Sequence, residues 1–462
     1  MKKYKLDRIK DRINEVSHID AEECRMLFSN PEKDFTRNRK QTPSTIARII
    51  LTNSGTNLNE QLRLACGIGD DRPSASAFIQ GRDKLTPDIY KRIFEKTARL
   101  DEYTLFDGRY LVLACDGSDV NIFPDSEDRS TSVKLSNNPH GKLCNQVHLN
   151  ALTAVPDGLF VDFRIQDHRD ENEGQACIDM MKDAAGIDFG HPCIITCDRG
   201  YENYSIMMHA QSLGLKYCIR IKDIGSTGIS SSFGQLCDQD GYMDAFVTRK
   251  FSRCVNAYGK EGFIKVNSYS RNDFVPESPN RKGRARKGEK AGISYCEFSF
   301  RLVRFRIAED AYEVLATNLT SDEMPLKRMR DLYFARWGIE TSFRQLKYDD
   351  STSFLHTKKK DAAIGEIILS MAFHNICVYV MQLCARKLAR KAGLPGRLHA
   401  YKISYSDLAD VMRIYITGRD PTATVKKIVR ELEITAQPVR EGRKFERILL
   451  GHTFTAFIYR AA

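Results

Sequence analysis

Two short apolar runs that each end in aspartate, Leu111–Asp116 (LVLACD) and Ile194–Asp198 (IITCD), constrain this chain most. Short continuous apolar runs bounded by turn signals mark strands buried on both faces, as in a sheet covered by helices. Gly117-Ser118 and Arg199-Gly200 come directly after, so each carboxylate is expected at a strand tip where the chain turns. Taken alone, a strand-end aspartate is usually a turn or helix cap. The flanking pattern adds context. Tyr110–Asp116, His148–Ala154 and Leu159–Ile165 are strand candidates, and a helix follows from about Glu171 to Ala185. After the Ile194–Asp198 strand come a helix from about Tyr201 to Leu213 and a strand over Lys216–Ile221. Three strands able to pair antiparallel, then alternating helix and strand, imply an α/β fold with a mixed sheet and helices on its faces. Asp116 and Asp198 are then expected at adjacent strand ends.

A third acid comes from a helical segment. DLYFARWGIETSFRQLKYDD carries Tyr333, Arg336, Glu340 and Lys347. At ~100° per residue they fall within an arc of roughly 60° on one side of a single helix. A charge run is ordinarily a solvated helix face, but two strand-borne aspartates upstream give this one a second meaning. Three carboxylates from two strands and a helix can hold two Mg²⁺ about 4 Å apart, the arrangement that supports in-line displacement at a phosphodiester. Such hard cations need charged oxygen ligands, so Asp116, Asp198 and Glu340 are the candidate catalytic metal ligands. The cations and phenol of the strip suit phosphate contacts. Leu332, Ile339, Phe343 and Leu346 form an apolar stripe beside it that can dock the helix on the sheet.

These motifs resemble bacterial insertion-sequence transposases of the DDE type, specifically the insertion sequence four family. Its hallmark of Tyr, two residues, Arg, three residues, Glu, six residues, Lys is met by Tyr333, Arg336, Glu340 and Lys347. SAFIQGRDKL (Ser76–Leu85), DGSDV at the first aspartate and DRGY at the second support the resemblance, which covers nearly the whole chain and is weakest at its two ends. The long interval from Asp198 to Glu340 resembles the place where the family inserts a β-rich domain. The resemblance implies a ribonuclease H-like core that cuts double-stranded DNA at terminal inverted repeats and joins the freed 3′-hydroxyls to target DNA. It implies Mg²⁺ as cofactor, two ions with Mn²⁺ as a substitute, and a homodimer in the synaptic complex. For DNA binding it implies Tyr333, Arg336 and Lys347 at the cut, and Tyr312 stacking on a flipped base. Trp337 is placed either beneath the DNA end or in the core, and Arg220 and Lys222, near the end of the last core strand, are candidates for backbone contacts.

The segments read as follows: 1–105 a helical DNA-binding domain, 106–224 the first part of the core, and 225–322 an inserted β subdomain. Residues 323–395 return to the core with the glutamate helix, and 396–462 form a mostly helical DNA-contact or dimerisation region. In the first, Thr42-Pro43 is a helix cap with Pro at the first turn, Asn57–Cys66 and Pro73–Lys84 are helical, and Pro87 opens another helix. Arg82 and Lys84 suit a helix-turn-helix-like reader of DNA, the alternative being a helical cap that supports the core. In the insertion, Tyr242–Phe251, Phe263–Tyr269, Ile293–Ile307 and Ala311–Leu319 are strand candidates, and RKGRARKGEK (Arg281–Lys290) is a basic loop. Ile367–Cys384 approaches membrane-spanning length, but His374, Asn375 and Gln382 interrupt it, as in a buried core helix. Near the C-terminus Arg440, Arg443, Arg447 and Arg460 alternate with Phe445, Phe454 and Tyr459.

Composition agrees. A chain of 462 residues is expected to hold several subdomains, and a formal net charge of +11 favours polyanionic partners. The 13 cysteines are scattered, with Cys115, Cys218 and Cys377 in apolar runs as buried reduced thiols are, and Cys193 and Cys197 lack a second pair at zinc spacing. The charged N-terminus MKKYKLDRIKDRINEV shows no signal peptide and no GxxxxGK[ST] run is present, so a cytoplasmic, chromosome-associated protein without membrane or nucleotide cofactor is expected. Alternative readings are a metal-dependent DNA nuclease and a catalytically silent DNA-binding protein. Three carboxylates and a complete Tyr-Arg-Glu-Lys strip argue against the silent one, since a binder needs no metal cage.

Overall fold

The first aspartate run makes a longer strand than its sequence suggests. In the computed structural model β1 (Leu111–Ile122) runs on through Asp116, Gly117 and Ser118, because Val120 and Ile122 continue the buried alternation beyond them. Asp116 therefore sits inside a strand, and the turn expected at Gly117-Ser118 does not form. The structure describes residues 3–37, 39–69, 72–133, 144–254, 257, 259–266, 274–276, 293–309, 311–392 and 401–439. Arg281–Lys290 and the arginine-aromatic segment from Arg440 to Arg460 lie outside the described residues.

The N-terminal helices are α1 (Lys3–Ser17), α2 (Pro43–Leu51), α3 (Leu58–Cys66), α4 (Ala75–Arg82) and α5 (Pro87–Thr97). After β1 come β2 (Ser132–Val133), β3 (Cys144–Val155), β4 (Leu159–Asp167), α6 (Glu173–Ala185), β5 (Cys193–Cys197), α7 (Tyr204–Ser212) and β6 (Lys216–Ile221). Next are β7 (Met243–Ser252), β8 (Phe263–Lys265), β9 (Cys296–Ala308) and β10 (Ala311–Thr317). The chain continues with α8 (Leu326–Ala335), α9 (Gly338–Tyr348), α10 (Lys360–Ala392), β11 (Tyr401–Lys402), α11 (Tyr405–Thr417), α12 (Val425–Ile434) and β12 (Gln437–Pro438). It divides into two compact units. Thr104–Asp116 with Asn172–Trp337 make one; Met1–Tyr103, Gly117–Glu171 and Gly338–Ala462 make the other.

In the first of these units β1 pairs in parallel with β5, from Leu111 opposite Cys193 to Cys115 opposite Cys197, and β5 pairs in parallel with β6. All of β5 is buried, as a strand covered on both faces must be. The strands that follow β6 do not stand apart as a separate sheet. β10 pairs antiparallel with β6, β9 with β10 and β7 with β9, and β8 joins β7 in parallel. Arg301, fully buried on β9, holds Asp244 of β7 through Nε and Nη2 at 2.6 and 2.7 Å and donates to the Met324 carbonyl at 2.7 Å. Helices α7 and α8 pack on β6.

In the other unit β3 and β4 pair antiparallel from Val147 opposite Asp167 to Ala154 opposite Leu159, with β2 on β3. Antiparallel β3–β4 in this unit and parallel β1, β5 and β6 linked by helices in the other are the two kinds of strand pairing expected of a mixed α/β fold. The expected caps are present. Thr42 accepts from the Thr45 amide at 3.1 Å ahead of Pro43, Asn57 accepts from Glu60 at 2.9 Å, and Pro87 opens α5. The apolar run near residue 370 is the core helix of this unit: the most apolar 18-residue window of Lys360–Ala385 has a mean hydropathy of 1.7 and is 89% buried. Its polar interruptions are satisfied. Asn375 accepts from the Phe160 amide at 2.9 Å and donates to the Phe160 carbonyl at 2.8 Å, completing the exposed edge of β4. His374 contacts Asp350 and Tyr405 through Nδ1, at 3.0 and 2.8 Å, and donates through Nε2 to the Gly158 carbonyl at 3.0 Å.

Helix α10 meets α5 at Gly365, where an added Cβ would fall 2.4 Å from Tyr90 Cε2. Alanine gains about 1 kcal/mol of helix propensity over glycine, but the Tyr90 ring is fully buried and has no room to retreat. Gly365→Ala should therefore lower stability in denaturant melts by about 1–3 kcal/mol. Combining it with Tyr90→Leu should recover part of that loss, and additive effects of the two changes would show that no clash exists.

Candidate active site

Because Cys115 faces Cys197 across the parallel β1–β5 pair, Asp116 and Asp198 follow at the same level on neighbouring strands, which run about 4.8 Å apart. Asp198 is also held by its own turn. Its carboxylate accepts from the Gly200 amide at 2.7 Å and caps the short 3₁₀ turn Arg199–Tyr201. Asp116 Oδ2 lies 3.4 Å from Arg336 Nη1. Arg336 is only 4% exposed, and its guanidinium lies over the rings of Trp337 and Tyr333 at 5.2 and 5.6 Å. Trp337 is 45% exposed, which rules out the core-packing alternative for this residue.

Further acid and base flank this group. Arg220 Nε pairs with Glu313 at 3.1 Å. Burial raises the Glu313 pKa, opposed by Arg220, Arg330 and Arg336. Burial likewise raises the Tyr333 phenol, opposed by the neighbouring Arg336 and Arg220. Cys193 is pushed up to about 11 by burial, so it is a neutral thiol there, unlike the thiolate a zinc ion requires.

The segment expected as one helix is two. Helix α8 ends at Ala335, with Arg336 as its C-cap, and α9 restarts at Gly338. Glycine at this position fits a physical need: a Cβ on Gly338 would meet Val155 Cγ1, at the end of β3, at 2.8 Å. The common arc for Tyr333, Arg336, Glu340 and Lys347 is thereby lost. Tyr333 and Arg336 belong with Asp116 and Asp198 in one unit, whereas Glu340 and Lys347 lie on α9 in the other. Glu340 is in the first turn of α9 and Lys347 in the last, each at the end where the helix dipole favours its charge. Burial lowers the Lys347 pKa, against the pull of Asp119. The apolar stripe is buried as expected, Leu332 on α8 and Ile339, Phe343 and Leu346 on α9.

A comparison with protein families identifies a transposase DDE domain over residues 107–376, more than half of the chain. The chain belongs to the transposase DDE domain family. No curated protein matches it. Among solved structures, the synaptic complex of piggyBac transposase with hairpin DNA, determined by cryo-EM, is similar at 10% identity with a TM-score of 0.48, over 94% of this chain and 86% of that one.

Other expected residues of this DDE-domain chain fall in varied places. Lys222 is exposed, while its backbone amide donates to Glu202 at 2.8 Å. It lines a cleft of about 580 Å³ beside Asp198, together with Arg199 and Arg249. Those two arginines escaped sequence reading because nothing in their local pattern separates them from surface charges. Tyr312 stands with one ring face under Arg304, 3.7 Å from its centroid, and its hydroxyl donates to the Asp240 carbonyl at 2.8 Å. Arg82, expected to face DNA, is instead 3% exposed and paired with Glu366 at 3.1 Å and the His356 carbonyl at 3.2 Å. A cleft of about 680 Å³ in the N-terminal helices is lined by Lys33, Arg37, Arg39, Lys40, Arg72 and Lys84, so Lys84 does face a cationic surface.

Tyr333→Phe removes a buried hydroxyl that lies beside Arg336, so thermal stability should change by less than about 1 kcal/mol. A drop in stability above about 1 kcal/mol would show that the hydroxyl is already engaged.

Proposed function

We propose that this chain is the transposase of an insertion sequence of the insertion sequence four family, cutting double-stranded DNA at the terminal inverted repeats and joining the 3′-hydroxyls to target DNA. The observation that carries the reading is the pair Asp116 and Asp198, level on adjacent parallel strands and faced by Arg336, within a transposase DDE domain. Two hard carboxylates at this spacing suit Mg²⁺ or Mn²⁺ and would bind a soft thiophilic ion poorly. Asp116 and Asp198, with Glu340 as the third ligand from α9, would hold the ions. When bound, the metal pair supplies activation of a water or 3′-hydroxyl and stabilisation of the leaving oxygen.

The chain's own residues do the remaining work. Arg336 orients the Asp116 carboxylate and offsets the repulsion between the two aspartates. Arg199, Lys222 and Arg249 line the cleft next to Asp198 and are placed to bind the phosphodiester backbone. Lys347 and Tyr333 contact phosphates beside the cut, in keeping with the Tyr-Arg-Glu-Lys signature. The protein acts in the cytoplasm on the chromosome, as a homodimer in the synaptic complex, with no nucleotide cofactor because transesterification exchanges one phosphodiester for another.

Purified protein and its Glu340→Gln variant, incubated with Mg²⁺, labelled DNA from both flanks of the gene and a supercoiled target, test this reading. End cleavage and joining by the parent alone is expected, with end binding retained in the variant. Cleavage without joining would indicate a nuclease, and binding without either reaction a silent DNA-binding protein. Substituting Ca²⁺ should allow complexes to assemble with little chemistry, and full activity in chelator would refute a metal mechanism. Lys347→Ala should weaken end complexes and reduce the slope of log affinity against log salt by about one; an unchanged slope would remove Lys347 from the phosphate contacts.

A further inference from the structure

A second group of potential metal donors stands apart from the catalytic carboxylates in its chemistry. His148 Nδ1 lies 2.8 Å from Asp119 Oδ1 and 3.6 Å from Glu171 Oε2. His168 Nδ1 lies 3.3 Å from the same Glu171 oxygen and 3.8 Å from the same Asp119 oxygen. His168 Nδ1 thus faces one oxygen each of Asp119 and Glu171, while His148 Nδ1 bonds to Asp119 from beside that group. Zn²⁺ with nitrogen and oxygen ligands at about 2.0–2.2 Å in a tetrahedron needs neighbouring donors about 3.3–3.5 Å apart. The two separations of His168, 3.3 and 3.8 Å, lie close to that value. Asp119, His168 and Glu171 alone keep their donor atoms within 4.8 Å of one another.

The donors are firmly positioned. Asp119 is on β1, His148 on β3, and His168 and Glu171 bracket the 3₁₀ turn His168–Asp170 that follows β4. That turn is fastened at its start, where Asp167 accepts from Ser130 Oγ at 2.6 Å and from Lys360 Nζ at 2.9 Å, and where the Arg169 amide donates to the Ser130 carbonyl at 3.0 Å. His148 is buried, its side chain 8% exposed. His168 Nδ1 is a buried nitrogen that makes no hydrogen bond among the described residues, although two carboxylates surround it. A buried polar atom left in this state is costly unless a ligand completes it. The 2.8 Å contact accounts for His148, whereas the buried Nδ1 of His168 faces two carboxylates without a hydrogen bond among the described residues.

We propose that Asp119, His168 and Glu171 bind one transition-metal dication of the Zn²⁺ type, with His148 holding the Asp119 carboxylate in place, at a site separate from the magnesium chemistry of Asp116 and Asp198. Imidazole nitrogens favour such an ion over Mg²⁺, which takes oxygen ligands and keeps its waters. The ion would tie β1 to the turn after β4, so its binding free energy adds to the stability of the folded chain.

The test uses the full chain carrying Asp116→Asn, which weakens the catalytic site and leaves these four residues intact. Titration with Co²⁺ should give the intense visible bands of tetrahedral coordination at one equivalent, displaced by one equivalent of Zn²⁺, and Zn²⁺ should raise the melting temperature. His168→Asn, at a partly exposed position tolerant of substitution, should weaken Zn²⁺ binding by more than the roughly 10–100-fold that loss of a supporting hydrogen bond costs a metal site. Glu171→Gln should do the same with the circular dichroism of the fold unchanged. Absence of the Co²⁺ bands and of any melting shift would overturn the proposal, as would Zn²⁺ binding that both substitutions leave untouched. These readouts do not use transposition, so they stand whether or not the chain cuts and joins DNA.

Discussion

Parallel pairing of Leu111–Cys115 with Cys193–Cys197 is the constraint on which the unit that carries Asp116 and Asp198 rests. Side chains alternate along a strand, so a slip of one residue between β1 and β5 would turn one aspartate to the opposite face and destroy the pair. The register is secured from below by packing. Leu111, Val112, Leu113, Ala114 and Cys115 are all buried, as is every residue of β5, and any slip would carry apolar side chains into mismatched neighbours. Against this stands the repulsion of two carboxylates brought close together, which Arg336 relieves for Asp116 and a backbone amide for Asp198. The sheet supplies the stability and the aspartates consume part of it, the pattern expected where function opposes folding.

A related balance holds in the helical unit. Helix α10 is apolar enough to match a membrane span, yet its buried face carries Glu366, His374 and Asn375. Each would be costly in an apolar interior without partners. Each has them: Glu366 takes Arg82 and the His356 amide, His374 the Asp350–Tyr405 pair, and Asn375 both polar groups of Phe160. These bonds specify where along the helix its neighbours sit, which apolar packing alone leaves loosely defined.

Much of this architecture was legible from local signals. Thr42-Pro43, Asn57 and Pro87 announced helix starts through capping chemistry that involves only a few consecutive residues. The β5 and β6 strands and the hairpin of β3 and β4 were visible as apolar runs, and adjacency of the two aspartate strands followed from the order of elements. What failed depended on distant contacts. Gly117-Ser118 reads as a turn but stays extended because β1 is held on both sides of it. The Tyr-Arg-Glu-Lys segment reads as one helix, and its break at Trp337 is tied to Val155, far away in sequence. Arg82 looked like a DNA contact until Glu366, on another helix, claimed it. For the same reason the histidine-carboxylate group could not be foreseen, since its members come from three separate stretches with no mutual spacing rule.

The insertion after β6 leaves the sheet at Ile221 and returns on β10, where Val314 lies directly opposite that residue. An excursion of some ninety residues thus begins and ends on touching strands, so its ends are closed by pairing that exists whatever its length, and extra residues add little to the entropy of closure. Strands β9, β7 and β8 then accumulate outward, each templated on the last. Such a junction behaves as a growth point. Outer strands added or removed there would leave the neighbouring pairing that levels Asp116 and Asp198 undisturbed.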